Sequence, residues 1–258
     1  MADLLDKFIE KAKENLTEGY YKAGIKYEGK GASLRKTIDE NSFTLICEIK
    51  HASPAGEYSF DCMDVEKAAM EFKENGADAI SVVVEPKIFK GDLRNVPVAK
   101  KTSLPVLFKD FVISEEQIEA AAAVGADAVL LIVKAAERLH LDLDQLIDCA
   151  HHNGLEVLLE SYDAGEMGRA AQTNADVLGI NNRDLRTLKT DIGLTRRLLE
   201  DFEKNDRPVI SESGIKNADD VRFVKKLGAS GALVGTAIWK AENIGEKIVE
   251  LKRAALGE

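Results

Sequence analysis

The chain has 258 residues, 45% of them hydrophobic, enough to fill one large core or two small ones. With 35 Lys and Arg against 45 Asp and Glu, the formal charge of -10 excludes a general attraction to nucleic acid or anionic membranes, so an anionic ligand needs a local cluster of donors. Cys47, Cys62 and Cys149 lack CxxC spacing and the four histidines lack an HExxH pattern, so no metal or disulfide framework is implied and the cysteines suit a reducing compartment.

The first stretch, "MADLLDKFIEKAKENL", sets charge against apolar residues at helical spacing. It has no continuous apolar core, so it reads as neither signal peptide nor membrane span, and a cytoplasmic protein is expected. A helix is predicted over 3–16, followed by a loose link, "YYKAGIKYEGKGAS". Residues 1–44 therefore form an N-terminal helical extension to residues 45–258, within a single domain. Such a helix could cap a barrel floor or fold over its mouth, and periodicity does not choose.

Eight apolar runs follow, at 45–50, 78–85, 106–111, 127–133, 156–161, 177–182, 208–214 and 231–238. Amphipathic stretches separate them, among them "DVEKAAMEFKENG", "SEEQIEAAAAVG" and "NADDVRFVKKLG", each with a capping residue in front and Gly behind. His151-His152 reads as a solvated helix end. Four fragments repeat: "NGADAI" at 75–80, "VGADAV" at 124–129, "TNADVL" at 173–178 and "LGASGAL" at 227–233. The first three recur at a constant spacing that spans two strand-helix modules. Strand-helix alternation implies a parallel sheet, and eight strands in a chain of this length point to a (β/α)8 TIM barrel. The alternative, a doubly wound open sheet, would more often bring a Gly-rich dinucleotide loop after its first strand, and none is present.

In such a barrel the reactive end is the C-terminal end of the strands, where inward residues alternate. Strand one ends in Glu48 and Lys50, strand three in Lys109, strand five in Glu160. Strand six ends in Asn181, Asn182 and Arg183, and strand seven in Glu212 and Ser213. Each alone could be structural, Lys109 by pairing with Asp110 and Glu160 as a cap. Together they describe ionisable groups meeting in one cavity, where burial costs several kcal/mol each unless they are paired or used. "SESGI" and "LVGTAI" add Gly214, Gly235 and Thr236 where strands seven and eight turn toward helices, the recurrent phosphate cradle of this fold.

Taken in order, "EIKHASP", "SVVVEPKIFKGD", "LFKDF", "LLIVKA", "LLES", "GINNRDL", "SESGI" and "LVGTAI" resemble the indole-3-glycerol phosphate synthase family over about residues 45–240. The resemblance implies ring closure of 1-(2-carboxyphenylamino)-1-deoxyribulose 5-phosphate with loss of carbon dioxide and water. It implies a small phosphosugar ligand and no cofactor or metal; neither nucleic acid nor membrane is a partner, and no protein partner is specified. It makes Lys109 the general acid on the ribulose carbonyl and Glu160 the acid/base group in dehydration. Glu48, Lys50 and Asn181 would orient substrate and balance charge, and Glu212 and Ser213 would complete the polar mouth. Ser53, Arg183, Gly214, Gly235 and Thr236 would hold phosphate, and Phe89, Phe111 and Leu131 would sandwich the aromatic ring. A lysine beside other cations or in a dry pocket can drop toward neutral pKa, which is the expectation for Lys109.

The chain departs from the family pattern at Ala55, where a second Ser is usual, at Val84 in place of Thr, at Phe108 in place of Arg, and at Thr236 in place of Ser or Glu. Rival phosphate-handling barrels fit less well. A phosphoribosylanthranilate isomerase would use a Cys at the end of strand one, but Cys47 falls in the outward register. A Schiff-base aldolase would want a lysine where strand six carries Asn181-Asn182. A non-catalytic sugar-phosphate binder would not need an inward Lys-Glu constellation.

Overall fold

A computed structural model describes residues 3–60, 62–202 and 206–258. Eight parallel strands close into a barrel: β1 (Thr44–Ile49), β2 (Ala79–Val83), β3 (Val106–Lys109), β4 (Ala128–Ile132), β5 (Glu156–Ser161), β6 (Val177–Asn181), β7 (Val209–Glu212) and β8 (Gly231–Val234). β8 pairs with β1 through Ile46 opposite Leu233, which completes the ring. The (β/α)8 expectation holds, with strands shorter than the apolar runs. Val133 already begins the helix Val133–Leu139, and Ser213 and Gly214 turn with φ of 64° and 84° straight after β7. Apolar residues beyond a strand still pack under helices, so hydropathy overshoots the hydrogen-bonded ladder.

Alternation along each strand makes two cores. Ile46, Leu107, Leu130, Leu158, Ile210 and Leu233 fill the barrel interior. Cys47, Ile80, Phe108, Leu131, Leu159 and Val234 face outward and pack under the helices with Phe72, Ile118 and Val221. The foreseen helices form at Val65–Glu74, Glu115–Ala123 and Ala218–Lys226, with the side chains of Asp64, Ser114 and Asn217 accepting first-turn N–H groups. His151-His152 closes the helix Leu143–His152, exposed, with His151 against Asp176 at 2.9 Å.

The sequence repeat marks the barrel floor. Asp78, Asp127 and Asp176 each precede an even-numbered strand and accept the N–H of Leu45, Val106 and Val157 at the start of the strand before it, all at 2.8 Å. In the fourth copy Ser230 accepts from Val209 in the same way at 3.3 Å. Lys252, Lys100 and His151 partner the three carboxylates in turn.

The N-terminal residues reach both ends of the barrel. α1 (Leu4–Thr17) lies over the mouth and buries Leu5, Phe8, Ile9 and Ala12. α2 (Leu34–Glu40), which the sequence reading did not foresee, plugs the floor with Leu34 and Ile38. Ser33 donates to Glu156 and Arg35 N–H donates to the same carboxylate at 2.9 Å, pinning α2 to the start of β5. The link between the helices runs down the outside, where Tyr27 N–H donates to Ala123.

Candidate active site

A cavity of about 720 Å³ opens at the C-terminal ends of the strands, beneath α1. Glu48 and Lys50 both point into it and form an ion pair at 2.5 Å. Lys109 reaches across from β3 and lies 3.2 Å from Glu48 and 3.0 Å from Glu212. It therefore bridges β1 and β7 and does not pair with Asp110, which turns away and accepts a hydrogen bond from Tyr21 at 2.7 Å. Close backbone approach makes room for these carboxylates: a Cβ on Gly235 would stand 2.5 Å from Glu48, and one on Gly179 2.5 Å from Glu212. Trp239 Nε1 donates to the Glu48 carbonyl at 2.8 Å and fixes the end of β1.

The electrostatics correct one expectation. Burial works against the charge on Lys109, but Glu48, Glu212 and Glu160 overcome it and push its pKa up, not toward neutrality. Glu48 is held down to about 2: burial opposes the charge, and Lys109 and Lys50 outweigh it. Glu160 is pushed up to about 8, first by burial and then by the Glu212 charge, with the Asn181 side chain hydrogen-bonded to it. Burial also raises Glu212, whose Oε1 has no hydrogen-bond partner. The cavity thus holds Lys109 as an ammonium, Glu48 as a firmly ionised carboxylate, and in Glu160 a carboxyl disposed to keep its proton.

Glu212 is fully buried behind Lys109 and does not itself line the cavity. Asn181 accepts from Arg183 N–H at 3.0 Å, which sets the turn that carries Arg183 inward. Asn182 faces the other way, where its amide joins Ser211, Glu212 and Ser213 and stitches β6 to β7. Ser53, Arg183, Ser213, Gly214, Gly235 and Thr236 line the cavity where the chain leaves β1, β6, β7 and β8, neighbours around the ring, and so share one end of it. Lys216, Lys240 and Lys247, which the sequence reading passed over, line the same end.

The other end is apolar. Phe89 and Phe111 line it as expected, but Leu131 does not: it points outward from β4, and its neighbours Leu130 and Ile132 face the cavity. Phe8 of α1 completes this end, stacked on Phe111 with centroids 4.6 Å apart and 6.0 Å from Phe89. No signal in the sequence marked Phe8 apart from its place on an apolar helix face. Buried Glu85 accepts from the N–H groups of Ile88 and Phe89 at 2.6 and 3.0 Å, so a carboxylate outside the chemistry holds the Phe89 loop in place. Of the departures from the family pattern, Val84 and Phe108 lie in the outward core, and only Ala55 and Thr236 meet the cavity.

The family model for indole-3-glycerol phosphate synthase matches residues 7–251. An indole-3-glycerol phosphate synthase from Bacillus mycoides (strain KBAB4) is 36% identical over 247 residues, covering 95% of this chain and 96% of the relative. One from Methanocaldococcus jannaschii is 39% identical over 217 residues, covering 83% and 80%. Among solved structures, 3-hexulose-6-phosphate synthase from Salmonella typhimurium superimposes with a TM-score of 0.63 at 16% identity, over 83% of this chain and 99% of that one, a likeness of fold alone.

Proposed function

The chain belongs to the indole-3-glycerol phosphate synthase family, and from that premise we propose how its cavity divides the reaction among its residues. The reaction closes the ring of 1-(2-carboxyphenylamino)-1-deoxyribulose 5-phosphate to indole-3-glycerol phosphate, with loss of carbon dioxide and water, in tryptophan biosynthesis.

The aromatic carbon that bears the carboxylate attacks the ribulose carbonyl, and negative charge builds on the carbonyl oxygen. Lys109 meets that charge with an ammonium present at any physiological pH and gives it the proton as the alkoxide forms, an oxygen far more basic than the lysine. Lys50 sits beside the substrate carboxylate until carbon dioxide leaves. Loss of carbon dioxide returns electrons to the ring system. The hydroxyl then departs as water, with Glu160 donating the proton, while a carboxylate takes the proton from the adjacent carbon. Glu48 and Glu212 hold Lys109 in line from either side, and Asn181 orients Glu160. Ser213 completes the polar wall.

The phosphate lies against Ser53, Arg183, Gly214, Gly235 and Thr236. The aromatic ring lies between Phe8, Phe89 and Phe111, with Leu130 and Ile132 beneath it in the place first given to Leu131. Residues 1–44 belong to a single working domain with residues 45–258, since α1 supplies a wall of the cavity and α2 plugs the barrel at its opposite end. A cytoplasmic location suits an ionised substrate and unpaired cysteines. Among the described residues no helix is long and apolar enough to cross a membrane.

The observation that carries this reading is the Lys109 ammonium bracketed by Glu48 and Glu212 at the base of a cavity with one cationic and one aromatic end. Its test is indole fluorescence after the protein is mixed with the carboxyphenylamino substrate in the presence of a chelator. Fluorescence should rise, and a dark reaction with intact protein would overturn the assignment.

A further inference from the structure

The chain leaving β1 folds into a small hairpin on the rim of the cavity. Ala52 bridges Ser59 in antiparallel fashion, and Ser53 N–H donates to the Tyr58 carbonyl at 3.0 Å. The turn at Gly56, with φ of 73°, brings Glu57 back over Ser53. Ser53 Oγ donates to the Glu57 carboxylate at 2.9 Å, and Arg183 stands 3.9 Å from the same oxygen. Glu57 also lines the cavity. A carboxylate of the chain itself thus engages two of the side chains that have a charge or a hydroxyl to offer a phosphate.

We infer that Glu57 is an affinity-setting residue: in the free protein its carboxylate holds Ser53 and Arg183, and the phosphate of the substrate must displace it. The inference rests on the reading of Ser53 and Arg183 as phosphate ligands. A carboxylate carries one charge and is about a third exposed here, with a side-chain accessibility of 32%. A phosphate carries up to two charges and three acceptor oxygens, and can also engage the backbone at Gly214 and Gly235. The phosphate wins, at the cost of the Glu57 contacts. Because substrate and product both bear the phosphate, this competition weakens both alike without altering the chemical barrier. Ala55 acts in the same direction, since a missing hydroxyl removes a donor where Glu57 adds a rival acceptor.

The experiment is calorimetric titration of inorganic phosphate into the wild-type chain, Glu57→Gln, Arg183→Ala and the double variant, with steady-state kinetics on each. Gln keeps the size and an acceptor for Ser53 but loses the charge. Glu57→Gln should tighten phosphate about two- to fivefold, the worth of a partly exposed ion pair, and lower KM by a similar factor, with the change in KM and not in kcat. In the Arg183→Ala background that gain should shrink to what the Ser53 contact contributes. If Arg183→Ala weakens phosphate but Glu57→Gln leaves it unchanged or weaker, the inference about Glu57 is wrong and the phosphate site stands. If Arg183→Ala has no effect on phosphate, the site reading beneath it is wrong.

Discussion

The floor and the mouth of this barrel both bury charge, and they handle it in opposite ways. At the floor one motif repeats. Asp78, Asp127 and Asp176 make the same bond to the neighbouring strand, and each has a cationic or histidine partner. Asp127 is the most complete case: Lys100 donates to both of its oxygens at 2.7 and 2.6 Å, and the N–H groups of Val106 and Ala32 take what remains. At the mouth no such motif repeats. Two carboxylates, Glu48 and Glu212, share Lys109 and Lys50, Glu212 keeps an oxygen without a partner, and Glu160 and Glu212 are pushed up toward holding protons. Saturated charge fixes a register; unsaturated charge is held ready for a ligand.

The contrast breaks most sharply at its two lysines. Lys109→Met keeps the apolar stem and removes the ammonium, and turnover should fall by roughly 10²–10⁴, read by indole fluorescence, with circular dichroism unchanged. Lys100→Met removes the ammonium at the floor and strands the Asp127 charge. Unfolding in urea should show a loss of about 3–5 kcal/mol, while the folded fraction keeps its turnover. A Lys100 variant that loses activity at full stability would erase the distinction. Arg183→Ala should raise KM by an amount equivalent to about 1.5–3 kcal/mol, with a smaller change in kcat, because a charge-assisted bond to phosphate acts before and during the chemistry.

The finest distinction is in the pH profile. Glu160 as a proton donor requires its protonated form, so kcat should decline as pH rises through about 8, and Glu160→Gln should abolish that limb along with most of the activity. The same shift has a stability consequence. Unfolded, Glu160 releases its proton near 4.5, and folded it keeps it to about 8, so the folded state binds more protons in that window and loses stability as pH rises across it. Glu48 has the opposite sign: its contribution is present above 4.5 and is lost as pH falls toward about 2. Thermal melts of Glu160→Gln should flatten the first slope and leave the second.

Much of this was legible in the sequence where a polar residue marks a register. Glu48 and Lys50 set the inward face of β1, and with it the outward place of Cys47. Capping residues and trailing glycines bounded the helices at Asp64, Ser114 and Asn217 for local reasons that local sequence carries. Legibility failed where that marker is missing. β4 reads Ala-Val-Leu-Leu-Ile and is buried on both faces, so nothing local says whether Leu131 or its neighbours point inward. α2 has only Leu34 and Ile38 to announce it, too few for a periodic signal. The direction of the Lys109 shift was out of reach because its causes sit on β1, β5 and β7, brought together only by closure of the ring.

The central claim is that Lys109 acts before carbon dioxide leaves and Glu160 after it. Single-turnover reactions of Lys109→Met and Glu160→Gln, with carbon dioxide and indole fluorescence recorded separately, test it directly. Lys109→Met should release neither carbon dioxide nor indole product, and should still bind indole-3-glycerol phosphate through the phosphate end of the cavity. Glu160→Gln should release carbon dioxide and accumulate a hydroxylated, non-fluorescent intermediate. Carbon dioxide from Lys109→Met at a rate near that of the unaltered protein would contradict the account and move the first proton transfer to Lys50.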